Sequence, residues 1–157
     1  MIEQIELFPE RQFSEASALR EFIQSGNAKF TIRSEKTLRH YTYKVRKNKD
    51  SDIWYVHRLI ANGKYLYLGT IFSDHSFTAT RKTDNWVRED LGYIGFKWGW
   101  EKLVKGQWPP NITIYHEGRC GMCGIQLTDP ISVKEGYGPE CRKKRLRHEA
   151  TDVRVTS

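Results

Sequence analysis

Between Phe30 and Thr83 apolar and polar residues alternate with a period of two, the spacing of strands that set one face against a core. The runs FTIRS (30–34), HYTYKVR (40–46), IWYVHRLI (53–60), YLYLGTIF (65–72) and SFTATRK (76–82) are rich in β-branched and aromatic residues and predict five strands of an antiparallel meander. Asn62-Gly63 tolerates the positive φ of a type I′ turn, so a hairpin is expected between the third and fourth strands. The second run places Tyr41, Tyr43 and Val45 on one face and His40, Thr42, Lys44 and Arg46 on the other, which makes one face of the sheet cationic. The third and fourth runs are apolar on both faces, and so are expected to lie centrally beneath a cover.

Two stretches change to helical spacing. Residues 14–25 predict a short helix with Ser14 as N-cap, Ala16, Leu19, Phe22 and Ile23 on one face, and Gly26-Asn27 as its end. Residues 86–105 place Val87, Leu91, Ile94 and Trp98 on one stripe, predicting the helix that covers the sheet. Gly92, Gly95 and Gly99 interrupt it, each at a cost of roughly 0.5–1 kcal/mol against alanine, and close approach of helix to sheet is the simplest reason. Trp108-Pro109-Pro110 stops the helix, and ITIY (112–115) reads as a short strand leading on to the cysteines.

The expected architecture is therefore α+β: an antiparallel β-meander covered by an aromatic-rich helix, followed by a small treble-clef-like zinc module. Its segments are an N-terminal helical segment (1–28), the meander and helix core (29–111), the zinc-binding module (112–148) and a flexible tail (149–157). Aromatic residues make up 13% of the 157, far too many for a solvated disordered chain. No apolar run approaches the roughly 18–20 residues that span a bilayer, and MIEQIELFPE lacks the basic and apolar regions of a secretion signal. A soluble cytoplasmic protein without a membrane partner is expected.

The net charge of +7 is unevenly spread. Residues 29–82 carry twelve basic against four acidic side chains, a net +8, while residues 1–28 are at −3, 83–115 at zero and 116–157 at +2. That excess favours a polyanionic partner.

All three cysteines, Cys120, Cys123 and Cys141, fall within 22 residues. An odd count argues against a disulfide framework, and a C-x-x-C pair in a reducing compartment points to a metal. The run Cys-Gly-Met-Cys-Gly fits a zinc knuckle, and Pro139 in the first turn of a helix sets Cys141 near the positive end of its dipole, which favours the thiolate. Structural zinc takes four ligands. One turn beyond Cys141 stand Lys144 and Arg145, which do not bind zinc, and His148 is seven residues on, about 10 Å along a helix. His116, four residues before Cys120, is the expected fourth ligand, with Arg119 and Arg142 offsetting the negative charge of three thiolates and one imidazole on Zn2+. A catalytic zinc with Glu117 or Glu140 moving protons, as in the deaminases, needs H-x-E far upstream of P-C-x-x-C; here the C-x-x-C comes first, so no enzymatic activity is expected.

The string YHEGRCGMCGIQLTDPISVKEGYGPECRKK resembles a family of uncharacterised small proteins of tailed bacteriophages and prophages, whose C-terminal module has Cys-x-x-Cys-Gly, a Leu-Thr-x-Pro-x-Ser-like middle and Gly-x-Gly-Pro-x-Cys. The likeness extends upstream to roughly residue 20. It implies that His116, Cys120, Cys123 and Cys141 are metal ligands, and that the protein is phage-derived and works in the host cell cytoplasm. The chain departs from the family pattern at Ile125-Gln126, where relatives have a basic residue.

Two functions fit. Nine aromatics within the +8 segment, with Lys44, Arg46 and Arg58, have the composition of a surface on which single strands stack. Arg142, Lys143, Lys144, Arg145 and Arg147 add a basic helix that could lie along a phosphate backbone of DNA or RNA. The alternative is a protein-binding inhibitor or adaptor that acts on a host or defence protein, for instance by strand addition at a sheet edge.

Overall fold

The computed structural model describes residues 9–127 and 130–145, and the fold is α+β. Five strands follow one another as a meander: β1 (Asn27–Ser34), β2 (His40–Lys47), β3 (Trp54–Leu59), β4 (Tyr65–Ile71) and β5 (Phe77–Thr78). A sixth, β6 (Ile112–His116), returns to the free edge of β1, so the antiparallel sheet has the order β5-β4-β3-β2-β1-β6. Register sets Phe30 opposite both Tyr43 and His116, and Ile32 opposite Ile114. Residues 112–116 are thus part of the main sheet, and a module boundary at 112 falls inside it. Gln12 bridges to Tyr115 and the Phe13 N–H donates to the Ile114 carbonyl at 2.8 Å, which covers part of the β6 edge.

The expected turn at Asn62-Gly63 forms, with both residues at positive φ (65° and 72°). The loop holds one residue more than a two-residue hairpin, because the Ile60 N–H closes on the Lys64 carbonyl at 2.7 Å and leaves Ala61, Asn62 and Gly63 between them.

Two helices cover one face of the sheet. Helix α1 (Ala16–Ile23) starts one residue later than expected: Ser14 is not its cap, and Glu15 occupies that position without a side-chain hydrogen bond. Its buried residues are Leu19, Phe22 and Ile23. Helix α2 (Leu91–Val104) is capped by Asp90, whose carboxylate accepts from the Tyr93 N–H. It buries Tyr93, Phe96, Trp100 and Leu103, not the expected stripe: Leu91, Ile94 and Trp98 point outward at 51%, 47% and 39% exposure, and only Val87 of that set is buried. The helix is apolar around most of its girth, so spacing alone does not choose a face. Contacts choose it. Tyr43 Oη donates to the Gly92 carbonyl at 2.6 Å, and Phe96 packs on Tyr43, Phe77 and Trp100, each ring worth roughly 1.5–3 kcal/mol when removed from water. Of the three glycines only Gly92 meets a close neighbour, since a Cβ there would run into the Arg58 side chain.

No helix is expected from the sequence between the C-x-x-C and Cys141, yet α3 (Pro130–Glu135) forms there. Residues 139–145 are helical, as Pro139 implies.

Candidate metal centre and cationic sheet face

After β6 the chain turns back beneath α1. The Asn27 N–H donates to the Gly121 carbonyl at 2.7 Å, and the Gly121 N–H to the Gly136 carbonyl at 2.9 Å. Gly121 lies so close to Phe22 and Ser25 that a Cβ would come within 2.6 Å of the ring, so this position has room for glycine alone. The turn closes through Gly124 N–H to Cys120 O (2.9 Å) and Cys120 N–H to Ile125 O (2.8 Å). The N–H groups of Met122 and Cys123 point at Cys120 Sγ (3.4 and 3.5 Å), the hydrogen-bonded knuckle that the sequence implies.

The Sγ atoms of Cys120, Cys123 and Cys141 lie within 4.8 Å of one another. Four ligands around zinc with bonds near 2.3 Å put sulfurs about 3.8 Å apart, so the three need little adjustment to share one ion. Their ionisation is unequal. Burial pushes the Cys120 thiol up, but the N–H groups of Cys123, Gly138 and Met122 outweigh it and hold the thiol below its ordinary value. Cys141 is pushed up to about 12 by burial and then by hydrogen bonds and charge from Cys120 and Cys123. Three crowded thiols do not all ionise on their own, whereas a divalent cation would hold all three as thiolates. The soft, sulfur-rich donor set and its geometry can hold a metal ion.

His116 is not brought to the sulfurs. Its ring is buried on the helix side of β6 between Phe13 and Phe22. Nδ1 accepts from the Gly118 N–H at 3.0 Å, so the ring proton is on Nε2 and is donated to the Val133 carbonyl at 2.5 Å. Both nitrogens are engaged, and the imidazole ties β6 to α3 instead of completing the metal site. Among the described residues no histidine or carboxylate joins the three cysteines.

The sheet face opposite the helices is the cationic one. Register aligns Lys29, Lys44, His57 and Tyr67 across four strands, with Arg46 and Tyr55 in the neighbouring row. Lys44 Nζ lies 5.2 Å from the centre of the Tyr65 ring. Its pKa is lowered by partial burial and by the like charges of Lys29 and Arg46. His57 is likewise held below its usual range, by burial first and then by Lys44. Two carboxylates border this face: Glu117 Oε1 accepts from Thr31 Oγ1 at 3.0 Å, and Glu35 Oε1 accepts from Thr113 Oγ1 at 2.6 Å beside Arg33.

Arg58 belongs to the other face. Its guanidinium makes a bidentate pair with Asp90 at 2.6 and 2.7 Å and stacks 5.2 Å from the Tyr41 ring centre, so it fixes the α2 cap and is not available to a phosphate. Of the nine aromatics in the meander, Phe30, Tyr43, Trp54 and Phe77 are core, Tyr41 lies under Arg58 on the helix side and Phe72 is exposed just past β4, which leaves Tyr55, Tyr65 and Tyr67 half-buried on the open face.

The basic helix is also partly committed. Arg145 pairs with Glu21 at 2.9 Å and lies over the Tyr137 ring, and Arg142 is half-buried and partnered. Lys143 and Lys144 are exposed, and Arg147 and His148 lie outside the described residues. Lys29 lies just before the expected first strand (30–34) and joins this face only through the register that sets it opposite Lys44, so no sequence signal marks it.

Residues 113–146 match a family of unknown function, DUF6011, a span that holds all of β6 but its first residue, the C-x-x-C and Cys141. No curated protein and no solved structure matches the chain. No helix among the described residues is long and apolar enough to cross a membrane.

Proposed function

We propose that the chain is a non-catalytic, zinc-stabilised nucleic-acid-binding protein, phage-encoded and active in the host cytoplasm. Zinc is the ion that the three cysteines suit best, as a structural centre that fixes the C-terminal module on α1. The observation that carries the reading is the open sheet face, where Lys29, Lys44 and Arg46 stand together and alternate with Tyr55, Tyr65 and Tyr67. Cations neutralise phosphates while tyrosine rings stack on unpaired bases, so a single strand of DNA or RNA is the preferred partner. Lys143 and Lys144 extend the positive surface.

Replacing Tyr55 and Tyr65 with serine is expected to weaken single-strand binding at least tenfold and duplex binding little, because stacking contributes roughly 1–3 kcal/mol per base and a duplex hides its base faces. Equal losses on both would refute stacking.

A second reading, a protein-binding adaptor acting on a host or defence protein, is favoured by Trp86, Leu91, Ile94 and Trp98, which are 39–55% exposed along one side of α2 and the turn before it. Ile94→Asp with Trp98→Ser would abolish a host-protein complex and leave nucleic-acid binding intact.

A further inference from the structure

We infer that the chain forms a symmetric dimer in which α2 packs antiparallel on α2 of a second copy. The inference does not rest on the cationic sheet face, which lies on the other side of the sheet. Two features of α2 have no purpose within a single chain. Leu91, Ile94 and Trp98 are exposed along its outer side, and Trp86 in the turn before it is more exposed still. Gly95 lies among them, four residues after Leu91 and three before Trp98, and a Cβ there would meet nothing nearer than Tyr43 Oη at 4.0 Å. Glycine in a helix interior is less stable than alanine, and the chain itself has room for alanine at this position, so the space is of use to a neighbour outside it. A bare stretch of backbone flanked by large apolar side chains lets a second helix approach closely and seat its own side chain there.

The charges around the stripe select the partner and its direction. Arg88 and Glu101 bracket it, both exposed and neither in an ion pair among the described residues. An antiparallel crossing centred between Ile94 and Gly95 sets Leu91 against the partner's Trp98, Ile94 against the partner's Gly95 and Arg88 against the partner's Glu101, and the two-fold axis makes each contact twice. A parallel crossing would set Arg88 on the partner's Arg88 and Glu101 on the partner's Glu101, with the two helix dipoles aligned, and is disfavoured on both counts. The face is thus complementary to itself. Its four large side chains leave on the order of 400 Å2 of apolar surface open, within the size of functional patches on single chains. Two such faces with their charged rims bury on the order of 1,000 Å2 in total, the size of a weak, reversible dimer and not of an obligate one. Because α2 and the cationic face lie on opposite sides of the sheet, both cationic faces stay uncovered in this dimer.

The test is sedimentation velocity of the full chain from about 5 to about 500 μM, a range that brackets a Kd of tens of micromolar. Wild type should pass from monomer to dimer and no further. Ile94→Asp with Trp98→Ser should stay monomeric throughout. Gly95→Ala should melt no lower than wild type at the lowest concentration and weaken the dimer about tenfold, because the added methyl fits the chain but not the crossing. That variant separates a lost interface from a lost fold. Arg88→Glu and Glu101→Arg should each weaken the dimer, and the two together should restore the wild-type Kd, since the exchange rebuilds both ion pairs across the axis. The measurement uses no nucleic acid, so its outcome is independent of what the sheet face binds. A chain that stays monomeric to about 500 μM overturns the proposal, even where a host protein takes the α2 face instead, the upper limit being that of the same concentration range. So does a dimer unchanged in Ile94→Asp with Trp98→Ser, an assembly that grows past two chains, or a double exchange that restores nothing.

Discussion

The imidazole of His116 is neutral in this fold: burial holds its pKa below the usual 6.5, against the raising effect of its bond to Val133. Its position four residues before Cys120 made it the expected ligand, because spacing reports reach but not what already occupies the two nitrogens. His116→Ala should strand the Val133 carbonyl and the Gly118 N–H and cost about 2 kcal/mol in a thermal melt, while the metal content stays at one equivalent. Lost metal with an unchanged melt would place the ring on the ion instead. His57 is also held low. Between their folded values and 6.5 these two histidines bind more protons when unfolded, so stability is complete above about pH 6.5 and falls as pH drops below it. Urea unfolding at pH 7.5 and 5.5 should show the loss, and His57→Gln should reduce it; an equal loss in that variant contradicts the assignment to His57. Asp90 runs in the same direction at lower pH. Burial would raise its carboxyl, but Arg58 and the Tyr93 and Gly92 N–H groups hold it low. Both side chains of the Arg58–Asp90 pair are under 20% exposed, so Asp90→Ala, which also removes the α2 cap, should cost about 3 kcal/mol in the same assay.

At the scale of elements, the meander was legible because alternation and β-branched composition speak with one voice: five strands form, although the fifth keeps only Phe77–Thr78 of the expected 76–82, with Tyr43 and Val45 inward and Lys44 and Arg46 outward. The location of α2 was legible and its orientation was not. Leu91, Ile94 and Trp98 satisfy helical spacing as well as Tyr93, Phe96, Trp100 and Leu103 do, and what separates them is long-range: the Arg58–Asp90 pair, the Tyr43 hydroxyl on Gly92 and the ring cluster around Phe96. Phe96→Ala should therefore cost about 3–5 kcal/mol, and Ile94→Ala less than about 1 kcal/mol, by denaturant unfolding. Equal costs would restore the other face to the core. Helix α3 was overlooked although Asp129-Pro130, a capping residue before proline, is a sequence mark of a helix start.

For the molecule as a whole, the sheet buries most of the large apolar side chains, and the knuckle is attached through β6, the Asn27–Gly121 bond and the packing of Gly121 on Phe22. The metal therefore organises the chain beyond β6 more than the sheet itself. A chelator should release amide protection in the cysteine module while β1 to β5 stay protected, and simultaneous loss everywhere would show a single cooperative unit. The three cysteines were readable from spacing alone. The cationic face was readable only in part, since Arg58 and Arg145 look like free charges in the sequence and are bound to Asp90 and Glu21 in the fold, while Lys29 gains its place only from strand register. Nucleic-acid binding by that face is tested most directly by the salt dependence of affinity for a labelled single-stranded oligonucleotide, in wild type and in the variant with Lys29, Lys44 and Arg46 all changed to alanine. Three phosphate contacts on a single strand predict that log K falls by about 2 per decade of salt in wild type, and that the variant loses most of this slope. No binding by wild type at about 50 mM salt, where phosphate contacts are strong, or a slope unchanged in the variant, would contradict it.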